Sequence, residues 1–192
     1  MDSRQLESLT GTAARAGGKS YTAVRHELVS GDILCFRGRG LVSGAIRWLT
    51  RSPYSHVGLV YVFKQRVFCL EATGIGVHLI LMSELVKRYH GGIDYYALRD
   101  VPPESRDAAI DFGFGQLGKL YDHAGILRFF WFLLVGARRR SRERSFWYCS
   151  EIVAECYRAA GVTLVPGRVG YVSPADLAAS PRLAFAFRIK RD

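Results

Sequence analysis

The chain has 192 residues and a formal charge of +10 at pH 7, with 49% hydrophobic and 23% charged residues. These values suit one globular domain with a sizeable core and argue against disorder away from the ends. No apolar run reaches the length of about 18 residues that a membrane-spanning helix needs.

The basic balance favours anionic partners in general. Arg138, Arg139, Arg140, Arg142 and Arg144 are concentrated in one short stretch, and Arg188, Lys190 and Arg191 close the sequence. No nucleic-acid-binding motif accompanies them, so nucleic acid is not the expected partner. Residues 1–20 lack the apolar segment of a secretory signal and read as a flexible leader before a domain over 21–192. Of the four cysteines, Cys149 and Cys156 lie on one predicted helix, about 10 Å apart along its axis, too far for a disulfide. Cys35 and Cys69 sit in apolar strand patterns and read as small core residues. There is no zinc-ligand spacing, and a reduced, cytoplasmic setting is expected.

In chain order, Ile33 to Phe36 is the first clear strand, after a Gly31-Asp32 turn. A short helix from Leu41 to Leu49 follows, then a loop through Pro53. His56 to Phe63 and Arg66 to Ala72 form a hairpin around Lys64-Gln65. Val77 to Leu81 is the next strand, and Ser83 is placed to cap a helix running to about Tyr89. Asp94 to Arg99 is a strand, Pro102-Pro103 opens a helix to about Leu117, and Gly118 to Asp122 reads as a turn. Residues 124–146 form an apolar-basic insertion, with Phe129 to Val135 continuously apolar before the arginines. Cys149 to Ala160 is helical, with Gly161 as its stop. Ser173-Pro174 starts a last short helix, and Leu183 to Ile189 is a closing strand. Consecutive strands with a late helix predict an α+β fold with an antiparallel sheet.

Cys149 heads a helix, where unpaired N–H groups and the helix dipole favour a thiolate and can hold an oxyanion. His56 heads a strand and suits a general base; His78, also in a strand, is its main rival, ahead of His26, His90 and His123. Glu71 interrupts the apolar strand paired with that of His56, and hairpin register brings residues 56 and 71 nearly opposite. A carboxylate there needs a partner and can orient the imidazole. Tyr148, Tyr54 and Ser150, flanking these residues, are candidates for substrate or oxyanion contacts. Asp32 and Asp122 follow turn chemistry and read as structural residues near the site.

These residues resemble the permuted papain-like hydrolases of the NlpC/P60 superfamily, in particular the YiiX/YaeF-like amidase group. The resemblance is carried by Gly31-Asp-Ile-Leu34, Ser52-Pro-Tyr-Ser-His-Val-Gly58, Leu70-Glu-Ala72, Gly118-Lys-Leu-Tyr-Asp122, Tyr148-Cys-Ser-Glu-Ile-Val153 and Ser173-Pro-Ala-Asp-Leu177. It implies a circularly permuted papain-like fold in which an antiparallel sheet or half-barrel packs on the cysteine helix. The histidine then precedes the cysteine, as here. It further implies Cys149 as nucleophile, His56 as base and Glu71 as third member; a thiol hydrolase of this kind needs no metal or organic cofactor. Lecithin:retinol acyltransferase-like enzymes share the permuted layout, but typically carry Asn-Cys at the nucleophile where this chain has Tyr148-Cys149-Ser150.

The expected function is a thiol hydrolase cleaving an amide or ester through an acyl-enzyme. The alternatives are a lipid acyltransferase or phospholipase at a membrane surface and, behind it, a non-catalytic binding module. The expected substrate is a small peptide, an isopeptide or a lipid. The segment from Phe129 to Arg144 reads as core, as an acyl-chain or membrane contact on an anionic surface, or as a partner-binding helix.

Overall fold

The computed structural model describes residues 17–121, 146–147, 149–167 and 172–192. Tyr148, Asp122, most of the insertion and most of the leader therefore lie outside the described residues.

The elements in chain order are β1 (Lys19–Ser20), α1 (Tyr21–Val24), β2 (Ile33–Arg37), α2 (Leu41–Thr50), β3 (His56–Phe63), β4 (Arg66–Thr73), β5 (Gly76–Leu81), α3 (Met82–Arg88), β6 (Gly92–Leu98), α4 (Pro103–Phe114), β7 (Leu120–Tyr121), β8 (Phe146–Trp147), α5 (Cys149–Ala159), α6 (Pro174–Ala178) and β9 (Leu183–Lys190). The main sheet has seven strands in the order β1-β9-β6-β2-β3-β4-β5. Its pairs are antiparallel except β1 with β9. The architecture is α+β, as the sequence pattern implies.

Alternation along the central strands builds two cores. Ile33, Cys35, Val57, Leu59 and Leu70 face a layer made by α4 and α5, through Ala109, Ile110, Ile152, Val153 and Tyr157. Leu34, Phe36, Val60 and Cys69 face the other way, towards Tyr21, Val24, Met82, Leu85 and Phe187. The sheet is thus a filling between two helical layers.

Three local features differ from the sequence reading. Lys19 and Ser20, placed in the leader, pair with Ile189 and Lys190, and the Ser20 hydroxyl accepts from the Ala23 N–H to cap α1. Helix α3 begins at Met82 with Leu81 at its cap, so Ser83 lies inside the first turn and does not cap it. Leu120 and Tyr121, read as part of a turn, form a short parallel pair with Phe146 and Trp147. Both strand pairs close contacts between segments far apart in sequence, which local turn chemistry does not register. At α6 the local signal was sufficient: Ser173 and Asp176 form a reciprocal capping box.

Asp32 is a buried joint of the scaffold. Its carboxylate accepts from Arg106 Nη1 (2.6 Å), the Leu98 N–H (2.9 Å) and the Tyr95 hydroxyl. It ties β2 to β6 and α4. Next to it, Gly31 has φ of +89°, and a Cβ there would lie 2.7 Å from the Tyr157 hydroxyl. That hydroxyl donates to the Gly31 carbonyl at 2.5 Å and anchors α5 to the sheet.

Candidate active site

The β3–β4 ladder runs from Phe63–Arg66 to Leu59–Leu70 and stops, although both strands continue. Residues 56–58 stay paired with β2, and residues 71–73 stay paired with β5. The β3–β4 ladder ends there, and α5 packs against both strands with Cys149 in reach of His56 and Val57 at the ladder's end. Helix α5 is held there by its buried face, Ile152, Val153, Cys156 and Tyr157. The close approach of α4 depends on Gly113, where a Cβ would lie 3.2 Å from Cys156 Sγ and 3.1 Å from Leu70 Cδ1.

Cys149, the first residue of α5, is buried. Its sulfur is within hydrogen-bonding reach of the His56 ring and of the Val57 and Ser150 amides. Val57 has no partner on β4 in the ladder, so its N–H is available to the sulfur. The His56 ring packs on Phe36, with centroids 5.0 Å apart. His56 Nε2 lies 2.6 Å from Glu71 Oε2, which leaves Nδ1 as the nitrogen for Cys149. Glu71 is 4% exposed. Its other oxygen, Oε1, lies 3.3 Å from His78 Nε2, and His78 Nδ1 lies 3.0 Å from the Gly76 carbonyl oxygen.

The electrostatics follow from this geometry. Burial alone would push the Cys149 thiol up, but the His56 charge and the hydrogen bonds from His56, Val57 and Ser150 hold it below its ordinary value. Burial disfavours a charged His56, but Cys149 and Glu71 outweigh burial and raise it to about 10. Burial would likewise raise Glu71, yet the two histidines hold it down at about 2. Burial pushes the thiols of Cys35 and Cys69 up, and Cys156 to about 12. Of the four cysteines, Cys149 is the one drawn towards its thiolate.

Of the other residues singled out by sequence, Tyr54 is buried and its hydroxyl is bound to Asp94 Oδ2 and the Tyr96 hydroxyl, each at 2.8 Å. The Ser150 hydroxyl donates to the Val172 carbonyl at 2.6 Å, so its side chain braces the segment before α6 and its amide faces the sulfur. Sequence reasoning missed Asp94. It is fully buried and accepts from Arg37 Nε (2.9 Å), Arg188 Nε (2.7 Å) and Tyr54, tying β2, β6, β9 and the loop before His56 together. A carboxylate inside the apolar run Gly92–Leu98 was the available signal.

The same order of motifs and the same elements occur in known proteins. A model of the permuted papain-like amidase enzymes of the YaeF/YiiX type, the C92 family, matches residues 27–168. The chain belongs to this family. The amidase-family relative "Probable lipoprotein peptidase YaeF" of Escherichia coli K12 is 24% identical over 176 residues, which cover 79% of this chain and 63% of that protein. The chain therefore spans less than two thirds of that relative's length. A crystal structure of the metalloprotein yiiX from Escherichia coli O157:H7 matches with a TM-score of 0.65 at 20% identity, over 82% of this chain and 95% of that one. At that identity the likeness establishes the fold. The resemblance drawn from the motifs is thereby borne out at the level of family and architecture.

Proposed function

We propose that the protein is a thiol hydrolase that cleaves an amide or ester bond through an acyl-enzyme formed on Cys149. The observation that carries this reading is the Cys149–His56–Glu71 alignment at the head of α5, with a contact of 2.6 Å between His56 and Glu71. The Cys149 thiolate attacks the acyl carbon. The carbonyl π electrons move to oxygen, where the Cys149 N–H, which has no intrahelical partner at the first helical position, is the donor at hand. His56 returns its Nδ1 proton to the leaving amine or alcohol as the carbon–heteroatom bond breaks. Water then attacks the thioester, giving a proton to His56, and the thiolate departs as the acid is released. Glu71 keeps the imidazole oriented throughout and stabilises it in the steps where it carries the proton. Tyr148 adjoins the nucleophile in sequence and, with the Ser150 amide, is a further candidate for the substrate side. Tyr54 acts through Asp94 as support.

The yiiX relative is described as a metalloprotein. Among the described residues the donors at this site do not fit an ion: both Glu71 oxygens face histidine nitrogens, and His78 Nδ1 faces a carbonyl. Among the described residues, no group of three or more His, Cys, Asp and Glu side chains is arranged to hold a metal.

A peptide or isopeptide substrate suits this chemistry. A lipid ester or amide at an anionic surface is the second reading. It is favoured by the exposed Leu41 (96%) and Trp48 (77%) on α2, beside exposed Arg39 and Arg51. Among the described residues no helix is long and apolar enough to cross a membrane, so such contact would be peripheral. The test of the first reading is labelling and turnover with activated acyl substrates, comparing wild type with Cys149→Ala and His56→Ala. Loss in both is expected, and undiminished labelling of Cys149→Ala refutes the nucleophile. Flotation with anionic liposomes tests the surface reading, and absence of binding refutes it.

A further inference from the structure

Glu71 has two imidazole neighbours, and the mechanism above uses one. His78 stands directly across the β4–β5 ladder from Glu71. Its Nδ1 lies 3.0 Å from the Gly76 carbonyl oxygen and its Nε2 lies 3.3 Å from Glu71 Oε1. A carbonyl oxygen only accepts, and an ionised carboxylate only accepts. A neutral imidazole has one N–H and can satisfy one of them; an imidazolium satisfies both. The ring is about one quarter exposed, at 24%, so it exchanges protons with solvent.

We propose that His78 is a positioning residue of this site, an imidazolium clamped between Gly76 and Glu71 that fixes the carboxylate with Oε2 on His56 and shares its negative charge. This rests on the Cys149–His56–Glu71 reading and adds a fourth group to it. The sharing matters because His56 must give its proton back to the leaving group. An imidazole held near 10 is a reluctant acid at neutral pH. The His56 charge lowers the proton affinity of His78, and linkage requires the reciprocal effect. A charged His78 therefore keeps His56 more willing to release its proton than Glu71 alone would. The charged groups that act on His78 from packed elements are Glu71 on β4 and His56 on β3. Lys119 adjoins β5 through its carbonyl, which accepts from the Val77 N–H, while its ammonium is on Gln116.

The experiment is nitrogen NMR of the histidine rings against pH, with rates of Cys149 acylation by 4-nitrophenyl acetate, in wild type, Glu71→Gln, His78→Gln and His78→Phe. In wild type, His78 is expected to carry hydrogen on both nitrogens at pH 6–7 and to titrate above its ordinary 6.5. His78→Gln keeps an uncharged donor to Oε1. It should acylate at a rate within about threefold of wild type, while the proton affinity of His56 rises by about fivefold. His78→Phe should slow acylation by about tenfold, the order for losing a hydrogen bond to a charged group. A singly protonated His78 at pH 6–7, or a His56 midpoint unmoved in His78→Gln, overturns the inference. If Glu71→Gln leaves the His56 midpoint unmoved, the triad reading falls as well; if it lowers that midpoint and His78→Gln does not raise it, only the role of His78 falls. Should His78→Phe fail to fold, the wild-type spectra and His78→Gln decide.

Discussion

Replacing Gly58 by alanine probes whether the close approach of β3 and β4 at the end of their ladder sets the geometry of the site. A Cβ at position 58 would lie 2.3 Å from Cys69 Sγ, 3.2 Å from the Leu70 carbonyl oxygen and 3.5 Å from Glu71 Cβ. Carbon atoms in contact sit about 3.5–4 Å apart and sulfur needs no less, so the sulfur has to retreat by more than about 1 Å. Cys69 is fully buried in the second core beside Val60, Val67 and Met82, and the strand has to move with it. Overpacking of this kind costs about 1–3 kcal/mol. In a chain of this length that lowers Tm by about 2–12 °C. Because β4 carries Glu71 two residues further on, the contact of 2.6 Å with His56 lengthens. Each ~1.4 kcal/mol lost from the imidazolium then lowers the ratio of thiolate to thiol about tenfold. The assay is thermal unfolding by circular dichroism together with iodoacetamide labelling at pH 7. The variants are Gly58→Ala, Cys69→Ala and the double variant. Removing the sulfur relieves the clash, so the double variant should be about 1 kcal/mol more stable than the sum of the singles and should regain labelling. Strict additivity, or a Gly58→Ala protein that melts and labels like wild type, refutes the steric account.

Further outcomes follow from the charges. Iodoacetamide labelling of Cys149 should have its midpoint below the ordinary thiol value of 9.0, because the thiolate persists as pH falls until its lowered pKa is crossed; turnover should decline at the alkaline end as His56 loses its proton near about 10. A midpoint at or above 9.0 refutes the ion pair. In Glu71→Gln, His56 keeps the Cys149 contact and loses the carboxylate. The rise from 6.5 to about 10 corresponds to about 5 kcal/mol, and a share on the order of 2 kcal/mol for Glu71 predicts an about thirtyfold loss of proton affinity by NMR titration. Glu71 is depressed, so its stabilisation is present above its ordinary 4.5 and is lost as pH falls towards about 2; Glu71→Gln should lack that acid-side loss in thermal melts. Asp94→Ala removes the buried carboxylate that the partly buried Arg37 and Arg188 share. A cost of about 3–5 kcal/mol is expected, or about 6–20 °C in Tm, and an unchanged melting temperature refutes the role of Asp94.

Much of the fold was legible because its signals are local. The β3–β4 hairpin is marked by alternating apolar residues around Lys64-Gln65, and the structure ends β3 at Phe63 and starts β4 at Arg66. The Ser173 cap and Pro174 place α6 to within a residue of the sequence reading. Cys149 is legible for the same reason: a thiol at a helix start is a local arrangement. Asp94 was not recognised because its meaning depends on Arg37 and Arg188, which are 57 and 94 residues away in sequence.

The sequence by itself determined the alternation that makes a two-faced sheet, the late amphipathic helix, and the residue types able to form a thiolate, a base and an orienting carboxylate. Tertiary structure decided how they meet. Hairpin register brings residues 56 and 71 near each other, but only the end of the β3–β4 ladder leaves the Val57 amide to the sulfur, and only the packing of α5 brings Cys149 there. It also decided the place of His78, which in sequence competes with His56 for the role of base. The pairing of β5 with β4 puts His78 on the far oxygen of Glu71, so one carboxylate serves two imidazoles. The physical reason is that a carboxylate has two acceptor oxygens, and which groups they meet is set by strand neighbours and not by spacing along the chain.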